Sequence, residues 1–253
     1  GAVSAGGNID IATTTANALT VSGAMSTAAQ TASGTPSGNV TLTSGAGIVL
    51  NNSVTTGTST VADTAGADVA TTGSITLDAT TAITGTGSLV TGAAQADGAT
   101  NNDTATSGSI VLKGTSVGLS NATAALTTGN ATLTGASDTN DVATAGSITL
   151  GTSGATMAVI NNGTAATKMV VRTGTLSAGA GQGVAGQLVA TTSGATGNAG
   201  GIFVSSDRAL TLGAVSAGGN IDIATTTANA LTVSGAMSTA AQTASGTPSG
   251  NVT

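Results

Sequence analysis

The chain has 253 residues and a net charge of −6, with 4 Lys and Arg against 10 Asp and Glu, no Cys, His, Trp or Tyr, and 1 Phe. Four scattered cations and one ring exclude the phosphate-neutralising clusters and stacking platforms of a nucleic-acid binder. No apolar run approaches the ~18 residues of a membrane-spanning helix, and a mean hydropathy of +0.34 excludes a disordered chain, which is polar and highly charged.

In chain order, a short phrase recurs: Gly, then Asn or Ser, a β-branched residue, a spacer, and Leu or Ile. It reads Gly7-Asn8-Ile9-Asp10-Ile11, Gly38-Asn39-Val40-Thr41-Leu42 and Gly73-Ser74-Ile75-Thr76-Leu77. It returns as Gly108-Ser109-Ile110-Val111-Leu112, Gly146-Ser147-Ile148-Thr149-Leu150 and, more loosely, Gly200-Gly201-Ile202-Phe203-Val204. Weaker echoes stand at Gly129-Asn130-Ala131-Thr132-Leu133 and Gly186-Gln187-Leu188-Val189-Ala190. Alternation of apolar and polar residues predicts a strand with one buried face, Ile75 and Leu77 inward and Thr76 outward. The leading Gly is expected at positive φ in a corner, a region Asn also tolerates.

A second short strand is predicted after each phrase, at Leu19 and Val21, Ile48 and Leu50, Ile83, Val117 and Leu119, Met157 and Val159, and Leu210 and Leu212. A third follows at Val54, Leu89, Leu126, and Met169 with Val171. Stretches such as "VADTAGADVATT" and "AQADGATNNDTATS" are small and polar and are expected to be loops or hairpins projecting from one edge. Asn51-Asn52 and Asn161-Asn162 are expected as corners whose amides bond along a stack. Frequent Gly and β-branched Thr oppose helix throughout.

Strands too short to stand alone, repeated with corners between them, predict an all-β parallel β-helix, or β-solenoid, with loop and hairpin insertions and essentially no α-helix. Residues 1–41 recur letter for letter as 213–253, a period of 212. The chain is therefore expected to be an excerpt: residues 1–212 one full tandem repeat of about six to eight coils, and 213–253 the start of the next, its translated twin.

The phrases GNVTL, GSITL and GIVLNNSVTTG, in a Thr/Ala/Gly-rich, aromatic-poor chain, resemble the repeat regions of filamentous-haemagglutinin-like proteins and, more broadly, giant bacterial surface adhesins. The resemblance implies a right-handed parallel β-helix, secreted and displayed on the cell surface as a long rod. It supplies no catalytic residue. The intervals between phrase glycines here are 31, 35, 35, 38, 54 and 19 residues, longer and less equal than that family's coils of roughly 20.

Sharper local readings are few. Gly181-Gln182-Gly183-Val184-Ala185-Gly186 satisfies GxGxxG but lacks the strand before it, the helix after it and the acidic residue of a dinucleotide site. Asp63 with Asp68, Asp97 with Asp103, and Asp138 with Asp141 are candidate calcium ligands, set against the plainer reading of solvated loop carboxylates. Seven Asn-x-Ser/Thr sequons, Asn121 and Asn162 among them, match about as often as chance allows in a Thr-rich chain. Lys168 with Arg172, and Asp207 with Arg208, could serve a polysaccharide-cleaving site, yet Asp207 and Arg208 are expected as two solvated charges. An ice-binding face needs a regular Thr column, and the residues after the first strand run Ala12, Thr43, Asp78, Lys113 and Gly151.

The expected function is structural and non-catalytic, a segment of an extracellular fibre or adhesin stalk with no catalytic residues, cofactor or metal. Its expected partners are further copies of the repeat along the axis, with neighbouring fibres or cell-surface glycans as further possibilities, and neither nucleic acid nor membrane. A surface-layer lattice protein is the main alternative and an ice-binding solenoid the minor one.

Overall fold

A computed structural model describes residues 1–253 except 15, 63–65, 98–101, 121–124, 136–138, 152–158, 161–167, 194–199, 227 and 241–249. The described residues form four sheets, every strand pair of which is parallel, and contain no α-helix.

Sheet I has nine strands. Six carry the recurring phrase, Ile9–Thr13, Val40–Ser44, Ile75–Ala79, Ile110–Lys113, Ile148–Leu150 and Leu188–Thr191; Leu210–Ala217 follows, with Leu231–Val233 and Met237–Thr239 paired on it. Its register is one residue on its like: Ile9, Val40, Ile75, Ile110, Ile148 and Leu188 stand in one column, Ile11, Leu42, Leu77, Leu112, Leu150 and Ala190 in the next. All but half-buried Ile11 are buried. The phrase at Gly186 is thus a full member of the stack.

Sheet II, of thirteen strands, has two arms. One stacks Leu19–Val21, Ile48–Leu50, Ala82–Gly85, Ser116–Leu119 and Val159–Ile160; the other stacks Val3–Ala5, Met25–Thr27, Val54–Thr55, Leu89–Val90, Leu126–Thr127 and Met169–Arg172. Both arms end on Ile202–Ser206, which carries Ile221–Thr225 above it. Most second- and third-strand positions fall where the spacing predicts, with two differences. Ile160, not Val159, continues the Val117 column, and Met157 lies outside the described residues. Leu210 and Leu212 belong to sheet I, where Leu212 stacks on Leu188. Phe203, the only aromatic, is buried where the two arms merge.

The polar stretches expected as loops or hairpins contain an outgoing and a returning strand, each paired with its counterparts on other levels and not with the other. Sheets III and IV, four strands each, stack Ser59–Val61, Ala94–Asp97, Ala131–Thr134 and Leu176–Ser177, and Val69–Thr71, Thr104–Thr106, Val142–Thr144 and Gln182–Val184. The Gly129 echo belongs to sheet III, not to the phrase stack. These sheets enclose a second core, largely Ala (Ala70, Ala94, Ala96, Ala105, Ala131, Ala143), separate from the Ile, Leu and Val core between sheets I and II. Alanine lets two sheets close without bulk, so the pair forms a thin fin on a thicker body. From residue 9 to residue 191 the chain visits sheet I, the two arms of sheet II and then the fin region in fixed order, and returns to sheet I one level up.

Candidate functional site

Between body and fin the chain crosses a neck twice per level, and the neck holds a column of buried, hydrogen-bonded hydroxyls. Outgoing segments carry Thr27, Thr56, Thr91 and Thr128; returning ones carry Ser37, Thr72 and Ser107. Each is followed by glycine or, after Thr27, alanine. Thr56, Thr91 and Thr128 donate their hydroxyls across the neck to the carbonyls of Gly73 (2.8 Å), Gly108 (2.7 Å) and Gly146 (2.6 Å). Each accepts an amide from the level above, Gly92 N–H on Thr56 at 3.0 Å and Gly129 N–H on Thr91 at 2.9 Å. The returning hydroxyls do the converse: Ser37, Thr72 and Ser107 donate to Gly57, Gly92 and Gly129 and accept from Gly73, Gly108 and Gly146. A buried amide or carbonyl without a partner is costly, and this zipper satisfies two glycines per level.

The phrase glycines owe their place to this neck. A Cβ on Gly38, Gly73, Gly108 or Gly146 would overlap the carbonyl of Gly7, Gly38, Gly73 or Gly108 on the level below. The corner reading is therefore corrected: positive φ occurs at Gly34, Gly85, Gly135, Gly151 and Gly179, and at none of these four. The Asn or Ser after the glycine also has a different role. Asn8 Oδ1 accepts from Asn39 N–H, Asn39 Oδ1 from Ser74 N–H, and the hydroxyls of Ser74 and Ser109 from the amides of Ser109 and Ser147, all at 2.7–3.1 Å. This is the amide stack expected at Asn51-Asn52, where Asn52 Oδ1 instead accepts from its neighbour Ser53; Asn161 and Asn162 lie outside the described residues.

Asp68, Asp103 and Asp141 also differ from expectation. They are fully buried at the start of successive sheet IV strands, not solvated. Asp68 N–H donates to Asp103 Oδ1 at 2.6 Å and Asp103 N–H to Asp141 Oδ1 at 2.9 Å, while Oδ2 of Asp103 and of Asp141 is buried without a hydrogen bond. Asp97 is half-buried; Asp63 and Asp138 lie outside the described residues. No group of three or more acidic side chains among the described residues is placed to hold a metal ion.

The charged clusters pair with each other. Arg172 Nε donates to Asp207 Oδ1 at 2.7 Å, and its terminal nitrogen to Oδ2. That bidentate hydrogen bond holds the Asp207 carboxyl below its usual range and raises the Arg172 guanidinium above its own. Asp207 and Arg208 are both exposed, as expected, and Asp207 is in addition the partner of Arg172. Lys168 pairs with Asp222, and Lys113 lies 3.6 Å from Asp78 in the Ala12–Thr43–Asp78–Lys113 column. Gln182–Val184, inside the GxGxxG match, is an exposed strand of sheet IV, with no α-helix after it among the described residues. Thr-Gly and Ser-Gly pairs at Thr56, Thr72, Thr91, Ser107 and Thr128 were the sequence signal for the neck, obscured by the abundance of both residue types.

No protein-family model, curated protein or solved structure matches the chain. No helix among the described residues is long and apolar enough to cross a membrane.

Proposed function

We propose that the chain is a β-solenoid segment of a long extracellular fibre or adhesin stalk, mechanical and non-catalytic, extended by tandem repeats. The observation that carries this reading is the behaviour of the recurring 41 residues. Val3 pairs with Met25 and Ala5 with Thr27; in the second copy Val215 pairs with Met237 and Ala217 with Thr239. Ile9 pairs with Val40, and Ile221 with Val252. The second copy keeps the internal register of the first while resting on the levels beneath it, so the unit supplies its own platform. Stacked parallel strands with like-on-like columns lengthen without limit until something covers the last edge.

Negative-stain imaging of native material tests the reading. Uniform thin filaments support it; a tiled sheet favours a surface-layer lattice, and compact particles refute both. The adhesin and cell-surface part is tested separately, by labelling intact cells with an antibody raised against the fin.

A further inference from the structure

The two copies of the 41-residue stretch do not sit on the same sheets. In the first copy, the phrase strand Ile9–Thr13 lies in sheet I, while Leu19–Val21 and Met25–Thr27 lie in sheet II. In the second, the phrase strand Ile221–Thr225 stacks on Ile202–Ser206 in sheet II, and Leu231–Val233 and Met237–Thr239 stack on Leu210–Ala217 in sheet I. The translated-twin expectation is corrected: internal register is kept and the faces are exchanged.

The neck moves with them. In the first copy, the glycine column Gly7, Gly38, Gly73, Gly108, Gly146 and Gly186 stands where the chain enters sheet I. In the second, Gly219 N–H donates to Gly200 O, and a Cβ on Gly250 would overlap Gly219 O. That column stands where the chain leaves sheet I, since Thr192, just after Leu188–Thr191, donates to Gly200 O and accepts from Gly218 N–H. Thr239 donates across to Gly250 O, as Thr27 does to Gly38 O. The two glycine columns therefore flank opposite ends of the sheet I strands. Two pairs pin the exchange: Lys168, before the last strand of one sheet II arm, reaches Asp222 of the second copy, and Arg172 grips Asp207 between the two crossing strands.

All strands remain parallel, so an exchange of faces that preserves direction and register is a rotation, not a reflection. We infer that successive 212-residue repeats are related by a half-turn about the stacking direction, and that their fins project alternately from opposite edges of the body. Between Ile9–Thr13 in sheet I and Ile221–Thr225 in sheet II the chain makes six and a half coils, which at about 4.8 Å each give roughly 31 Å of rise per sequence repeat and a true structural period of about 62 Å. The periodicity builds on the fibre reading; the exchange itself lies within this chain and is testable without a fibre.

The chain has no cysteine, so cross-linking pairs can be placed cleanly. Ser205 and Ala224 are register partners on adjacent strands, both half-buried, and adjacent Cα atoms about 4.8 Å apart suit a disulfide. A translated second copy would instead set Asp222 beside Val189. The double variant Ser205→Cys/Ala224→Cys is expected to oxidise to an intramolecular disulfide, and Val189→Cys/Asp222→Cys is not. The reverse pattern, or no cross-link in either folded variant, overturns the half-turn. Should the first variant fail to fold, the axial period of native filaments decides: about 62 Å supports the half-turn and about 31 Å alone refutes it. Cross-linking in the expected pair from material that never forms filaments would refute the fibre while leaving the exchange intact.

Discussion

Thr91→Val tests the neck most directly, because valine keeps the branched shape and removes only the hydroxyl. Thr91 is buried; its Oγ1 donates to Gly108 O at 2.7 Å and accepts from Gly129 N–H at 2.9 Å. The variant leaves the Gly129 amide without that acceptor, which costs about 1–3 kcal/mol, and loses a hydrogen bond worth about 0.5–1.5 kcal/mol net. The expected destabilisation is about 2–4 kcal/mol, or roughly 5–15 °C in Tm for a chain of this size. With no Trp or Tyr, unfolding is followed by far-UV circular dichroism in urea. Amide exchange reports Gly129 directly, and its protection should fall more than that of its neighbours. The control is Thr76→Val, half-buried on the outward side of sheet I, expected within about 0.5 kcal/mol of the parent. Equal stability of the two variants, or an unchanged Gly129 exchange rate, would refute the zipper as a stabilising element.

Gly108→Ala places a methyl against the Gly73 carbonyl and should cost about 1–3 kcal/mol or more by overpacking, read as a lower urea midpoint. Asp103→Asn keeps an oxygen for Asp68 N–H, whereas Asp103→Ala removes it; the Ala variant should be less stable than the Asn variant by about 1–3 kcal/mol in the same titration. Because the Arg172 hydrogen bonds depress Asp207 below 3.8, its contribution is present above that value and fades as pH falls through the lower folded pKa. Urea midpoints between about pH 2 and 5 should fall more in the parent than in Asp207→Asn, by less than about 1 kcal/mol at so exposed a pair. Residues 1–253 alone should associate end to end through the outermost strands; a concentration-independent monomer in sedimentation velocity contradicts this.

The body was legible because its columns are written in Ile, Leu and Val at period 2. Ile75, Ile110 and Ile148 announce their own register, and a chain with a single aromatic residue fits so narrow an interior. The fin was read only as loops or hairpins, without its stacked sheets, because its strands, such as Thr104-Ala105-Thr106, bury only alanine and look polar. The phrase glycine was seen, but its cause was assigned to φ; the carbonyl that excludes a Cβ comes from a residue about 35 positions away and leaves no local trace. Leu210 and Leu212 alternate in a manner either sheet accepts, so only the stack decides between them. The exchange of faces is illegible in principle from the two copies, since identical letters occupy both; it is set by what lies beneath, at Lys168, Arg172 and Ile202–Ser206. For the aspartates, composition favoured solvent, and burial came from their stacking over one another.

The distance along the chain from one phrase glycine to the next varies from 31 to 40 residues between Gly7 and Gly186, yet sheet I pairs like with like at every step. Length differences are thus absorbed between strands, beyond the neck and also within the body, where Ile148–Leu150 and Met169–Arg172 stand farther apart along the chain than their counterparts, and they never reach the sheet I register. Foreign peptides spliced into the outer bends of the fin would leave the spine unaltered, which makes this architecture a ready carrier for regularly spaced cargo.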